Sequence, residues 1–169
     1  MTISIHSASA PLFVRMLGNL NGWLEKAQGH AEVKKFDSAN YLGLRLAPDM
    51  LPFVSQIRIA SDIARLAVAR LAEVEHLKLP DDETTLEALA ERVRKSIAFI
   101  EGVDAARFAG ADAREIVLPQ RSGEPLHFNG ESFLQRWALP NVFFHVTMTY
   151  ALLRHAGVDI GKADYLGKF

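Results

Sequence analysis

Cysteine is absent from the 169 residues. Disulfides, zinc–thiolate sites and a cysteine nucleophile are therefore excluded. A chain without thiols suits a reducing compartment, and a cytoplasmic location is expected. Neither sign of charge is in excess: 19 Lys and Arg stand against 20 Asp and Glu, a formal charge of −1. That balance gives no electrostatic drive towards nucleic acid or an anionic membrane, and neither is expected as a partner. Asp, Arg, His or Thr interrupts the longest apolar runs, so none reaches membrane-span length. The opening MTISIHSASAPLF has no basic leader followed by an apolar core, so no signal peptide is expected. No G-x-x-x-x-G-K-[ST], G-x-G-x-x-G, H-E-x-x-H or G-x-S-x-G pattern occurs.

Apolar residues, by contrast, are plentiful at 49%. A chain of this size and composition is expected to fold as a single domain, 1–169, around a sizeable core. Leu12, Phe13, Met16, Leu17, Leu20, Trp23, Leu24 and Ala27 recur at helical spacing. They predict a first helix over 11–29, with Ser9 as N-cap, Pro11 in the first turn and Gly29 as the stop. Residues 30–47 carry no sustained period and read as a connection pinned by Tyr41, Leu42, Leu44 and Leu46.

Phe53, Ile57, Ala60, Ile63, Ala64, Ala67 and Leu71 define a second helix over about 48–75. Ser55, Arg58, Asp62, Arg65 and Glu73 form its opposite face. The charges there are expected to be solvated and paired along the helix. KLPDDETT breaks the pattern. A third helix starts near Thr84 or Thr85, carries Leu86, Leu89, Ala90, Val93, Ile97 and Ile100, and ends at Gly102. The short break suggests that helices two and three are antiparallel neighbours, and the longer links leave room for crossovers.

AREIVLPQRSGEPLHF, residues 113–128, alternates around a turn-rich centre and predicts a short β-hairpin. A fourth helix comes next over about 132–155, with Gly157 beyond its end. Pro140 lies inside it and should kink it or open a bulge. The tail VDIGKADYLGKF is expected to be ordered only in part. The fold class is therefore all-α, a four-helix bundle with a hairpin insertion before the last helix.

The last helix is the most informative segment. Asn141 and His145 lie four residues apart on the face that also carries Ala138, Met148, Thr149 and Leu152. Polar side chains on such a face need partners. The helix is also apolar nearly all round, through Phe133, Trp137, Phe143, Phe144, Leu152 and Leu153. That surplus is the ground for expecting a homodimer.

The segments LAPDMLPFVSQIRIASDIA, ETTLEALAERVRKSIAFI and LPNVFFHVTMTYALLRHAGVDIGKADYLG resemble a small, mostly bacterial family, domain of unknown function nineteen ninety-three, within the DinB/YfiT-like superfamily. The resemblance covers nearly the whole chain and implies a DinB-like four-helix bundle, often dimeric. Many members of that superfamily hold a divalent metal through three histidines, one on the second helix and two spaced H-x-x-x-H near the start of the last. Some of the metal-bearing members are thiol-dependent transferases. Here His145 falls at the second position of H-x-x-x-H and Asn141 at the first. Gln56, between Phe53 and Ala60 on the apolar face, falls at the second-helix position.

The resemblance thus implies a ligand pocket of Gln56, Asn141 and His145, formed from a degenerate metal site. One imidazole and two amides carry no negative charge, and amide oxygens are weak ligands for zinc or nickel. No tightly bound cofactor is expected. Two other functions fit the same residues. One is a metal-dependent enzyme, a thiol S-transferase or hydrolase, with zinc or nickel on His145. The other is a non-catalytic dimeric interaction protein. A buried hydrogen-bonded pair that fixes helix register is the structural alternative for Gln56 and Asn141.

Overall fold

A computed structural model describes residues 3–120 and 122–168. Its helices are α1 (Ala10–Lys34), α2 (Phe53–Ala72), α3 (Leu86–Glu101), α4 (Gly130–Phe133), α5 (Leu139–His155) and α6 (Lys162–Leu166). Strands β1 (Glu115–Leu118) and β2 (Leu126–Asn129) pair antiparallel, with Ile116 opposite Phe128 and Leu118 opposite Leu126. This is the expected all-α bundle with a small hairpin before the last helix. No helix among the described residues is long and apolar enough to cross a membrane.

The apolar stripes do what their spacing demands. Phe13, Leu17, Leu20, Trp23 and Leu24 of α1 meet Phe53, Ile57, Ile63 and Leu71 of α2 in one core, joined by Leu89, Val93 and Ile100 of α3. The helix ends are set by side chains. Thr85 accepts from the Ala88 N–H at 3.0 Å, and Asn129 accepts from the Ser132 N–H at 2.8 Å. Gly157 takes φ +92°, the left-handed turn that ends α5. At Gly130 a Cβ would lie 1.7 Å from the carbonyl oxygen of Ala111, so only glycine lets the end of the hairpin start a helix there.

Three expectations are corrected. Helix α1 runs past Gly29 to Lys34, because Lys35 itself takes the left-handed conformation (φ 59°) and its N–H closes the last turn. The tail is more ordered than its composition suggests: α6 docks on α1. There the Trp23 indole donates to the Asp164 carbonyl at 3.3 Å, Tyr165 stacks on Trp23, and Lys26 pairs with Asp164 at 2.6 Å.

The third correction concerns topology. Ser61 bonds Arg92 and Arg65 bonds Ser96, so contacts advance together along α2 and α3, and the two helices are parallel. The link over 73–85 must therefore run back along the bundle. Fully extended it reaches about 43 Å. Helix α2, with 20 residues, is about 30 Å long. By the same test α2 and α5 are antiparallel: Gln56 meets His145, and Leu71 lies against Gly130.

Helices α4 and α5 form one continuous rod joined by a π-helical segment, Leu134–Ala138. Pro140 has no N–H and its ring would crowd the carbonyl one turn earlier. The wide turn just before it absorbs both problems. Of the large apolar residues on this rod, Phe133, Leu152 and Leu153 are buried within the chain. Trp137 and Phe143 are half-buried, and Phe144 is 51% exposed.

Candidate functional site

Gln56 and His145 meet across the α2–α5 interface. The His145 Nδ1 lies 2.8 Å from the Gln56 Oε1, and both side chains are buried, 9% exposed for His145 and 2% for Gln56. Gln56 sits in the first turn of α2, on the same stripe as Phe53 and Ala60. Its other end is tied down as well: Nε2 donates to the Leu51 carbonyl at 2.9 Å.

That second bond decides the protonation of the first. A carbonyl only accepts, so the amide nitrogen of Gln56 must face Leu51 and the amide oxygen must face His145. An amide oxygen also only accepts, so the histidine carries its proton on Nδ1. Burial pushes the His145 pKa below its ordinary value, which keeps the ring neutral at pH 7. A neutral ring with Nδ1–H has a bare lone pair on Nε2. That nitrogen makes no hydrogen bond with a described residue. Its neighbour Phe144 packs edge-on against the ring at 5.2 Å while remaining exposed.

Asn141 is half-buried and is held elsewhere. Its Nδ2 donates to the carbonyl of Trp137, one turn back, at 2.6 Å. Thus the structure joins two of the three candidate residues and directs the third to the π-helical segment.

The donor set does not fit a divalent metal. Gln56 is engaged at both ends, Asn141 shows its nitrogen to its own helix, and one imidazole remains. No group of three His, Cys, Asp or Glu side chains stands together among the described residues.

A second polar cluster departs from expectation. The charged face of α2 is not solvated, for Arg65 is 3% exposed and Arg92 of α3 is 2% exposed. Arg92 bonds Asp62 at 2.6 Å, Glu83 at 2.7 Å, Asp81 at 3.0 Å and the Pro80 carbonyl at 2.7 Å. Arg58 reaches the same Glu83 at 2.6 Å, and Arg65 pairs with Asp62. Burial opposes ionisation of Glu83, but hydrogen bonds from Arg92, from its own backbone and from Arg58 outweigh it and lower the pKa. This cluster clamps the returning link onto α2 and α3. Every carboxylate in it is matched by guanidinium groups, so it has no free acid or base to offer.

Comparison with known proteins agrees with the fold. The family model for a domain of unknown function, DUF1993, matches residues 5–166. A crystal structure of a DinB family member from Shewanella denitrificans is 39% identical, over 97% of this chain and 92% of that one, with a TM-score of 0.90. No curated protein matches.

Proposed function

We propose, from the premise that the chain belongs to the DUF1993 family and has the DinB-like fold, that its metal centre is degenerate and that the surviving polar pair binds a small ligand. The observation that carries this is the relay from the Leu51 carbonyl through Gln56 to His145. It holds one imidazole neutral with Nε2 as an acceptor. Such a group recognises a hydrogen-bond donor on a ligand whose apolar part lies against the exposed ring of Phe144. The environment is poor in charge, so affinity would come from shape and one directed hydrogen bond rather than from electrostatics. A second copy of the chain belongs to the same proposal, with exposed apolar residues such as Phe144 at the contact, and light scattering at micromolar concentration tests it.

Nitrogen-15 NMR of untagged, histidine-labelled protein tests the site. His145 should show a protonated Nδ1 and a bare Nε2 at neutral pH, unchanged by equimolar zinc or nickel. Phenol, used as a donor probe, should shift Nε2 saturably, and His145→Ala should abolish that response. No response at millimolar phenol would make the pair a purely structural lock. Stoichiometric zinc or nickel that His145→Ala removes would favour the rival function, a metal-dependent S-transferase or hydrolase. Degeneracy has its own test: the double variant Gln56→His/Asn141→His should gain a divalent metal that the native chain does not hold.

A further inference from the structure

We infer that the cleft between α2, the hairpin and the π-helical segment is a binding site for a small amphipathic carboxylate, with Arg70 as its anion partner and Trp137 as its apolar wall. The cleft has a volume of about 480 Å³ and is lined by Leu66, Arg70, Leu118, Leu126 and Trp137, with Pro119 and Gln120 at its rim. Cavities of roughly 300–1,000 Å³ are the usual size for small ligands.

Arg70 is the reason to expect an anion. Its guanidinium makes no ion pair or hydrogen bond with a described residue, and its Nη1 is buried without an acceptor among the described residues. A buried guanidinium hydrogen without an acceptor is costly and is retained where something completes it. Among the described residues the fully buried arginines have acids, Arg65 with Asp62 and Arg92 with Asp62, Asp81 and Glu83, although the Arg65 Nε itself lacks an acceptor; half-buried Arg70 has no acid. The helix end does not explain Arg70 either. Carbonyls at the end of α2 are already taken by other arginines, Ala72 and Glu73 by Arg107 and Leu71 by Arg114. Burial lowers the Arg70 pKa, and no acid acts against that effect.

The walls point to the rest of the ligand. Trp137 is pre-set: its ring stacks on Phe133 at 5.3 Å and 17°, and its carbonyl is held by Asn141 at 2.6 Å. Leu118 and Leu126 are directly paired across the hairpin and close the other side. Among the described lining residues Arg70 is the one charge, so a monoanion matches it and a dianion leaves charge uncompensated. A carboxylate with an aliphatic or aromatic body therefore fits better than a phosphate ester. This site is separate from the Gln56–His145 pair and stands or falls independently of it.

Octanoate is the probe, with octanol and octyl phosphate as controls, followed by NMR of the Trp137 indole N–H. Octanoate should shift that signal saturably, and octanol should bind at least about tenfold more weakly. Arg70→Gln should weaken octanoate by at least about tenfold and leave octanol unchanged. Arg70→Lys, which keeps the charge, should fall between them. His145→Ala should bind octanoate as the native chain does. The inference is overturned if millimolar octanoate leaves Trp137 unmoved, if octanol matches octanoate, or if Arg70→Gln binds octanoate normally. Tighter binding of octyl phosphate than of octanoate would overturn the assignment to carboxylates.

Discussion

Helix α2 has two polar interfaces that solve the same problem in opposite ways. Towards α5 it buries one neutral amide, and the partner is one neutral imidazole. Towards α3 and the returning link lie the buried Arg65 of α2 and Arg92 of α3, met by the carboxylates of Asp62 and Glu83 and the hydroxyls of Ser96 and Ser61. The neutral interface needs few bonds because little solvation is lost. The charged one needs many, because an uncompensated buried charge costs far more than an unpaired amide. The two faces thus divide the labour. The charged side fixes the chain path, and the neutral side is where an atom with spare hydrogen-bonding capacity, the His145 Nε2, is left over.

The largest expected effect comes from breaking the charged side. Arg92→Ala removes the cation that joins Asp62, Asp81 and Glu83, leaving Asp62 only Arg65 and Glu83 only Arg58, and should cost about 3 kcal/mol in urea unfolding. A loss below about 1 kcal/mol would mean that the cluster is as weak as a surface ion pair, and the contrast between the two sides would fail.

The neutral side should be softer. Gln56→Leu leaves the Nδ1–H of His145 and the Leu51 carbonyl unpaired, at a cost of about 1–3 kcal/mol. Adding His145→Phe should recover most of that loss, since an apolar pair needs no hydrogen bond. A double-mutant cycle with no coupling energy would show that the bond contributes nothing beyond packing.

The smallest effect separates the two sides by pH. His145 has a depressed pKa when folded, so the folded state resists the proton that the unfolded chain accepts. Stability should therefore fall as pH drops through the ordinary histidine value of about 6.5, and level off once the folded ring protonates. His145→Phe should remove that loss of Tm. Glu83 works in a lower window. Its pKa is also depressed when folded, so its contribution is intact above the ordinary glutamate range and is lost as pH falls through the folded value. Glu83→Gln should lower stability at neutral pH and flatten that lower, acid limb, leaving the histidine limb in place.

One side of α2 was legible in the sequence and the other was not, and the reason is pattern. Gln56 stands out because it interrupts an apolar stripe, and an interruption needs no knowledge of the partner. Arg58, Asp62 and Arg65 lie on a stripe that is polar throughout, which looks the same whether it faces water or a second charged stripe. Its counterions are Glu83 and Asp81, in a link whose composition signals only a break, and its central cation is Arg92 on the flank of α3. The parallel course of α2 and α3 was hidden for the same reason, since link length bounds a path without choosing it. Arg70 was equally silent: an arginine in a last turn is the commonest of residues, and only the structure shows that Arg107 and Arg114 already serve that end. The helices and the hairpin, by contrast, arise from periodicity and cap chemistry, as Thr85 and Asn129 show.

The wide turn at Leu134–Ala138 also fixes how the two halves of this rod are turned against each other. A π segment is an α-helix that has taken in one residue without breaking its rod. Each residue of an α-helix turns by about 100°. The same rod without that residue would present the hairpin and Phe133 on a different side, while Asn141 and His145 kept theirs. A single inserted codon is therefore enough to turn one half of this helix against the other.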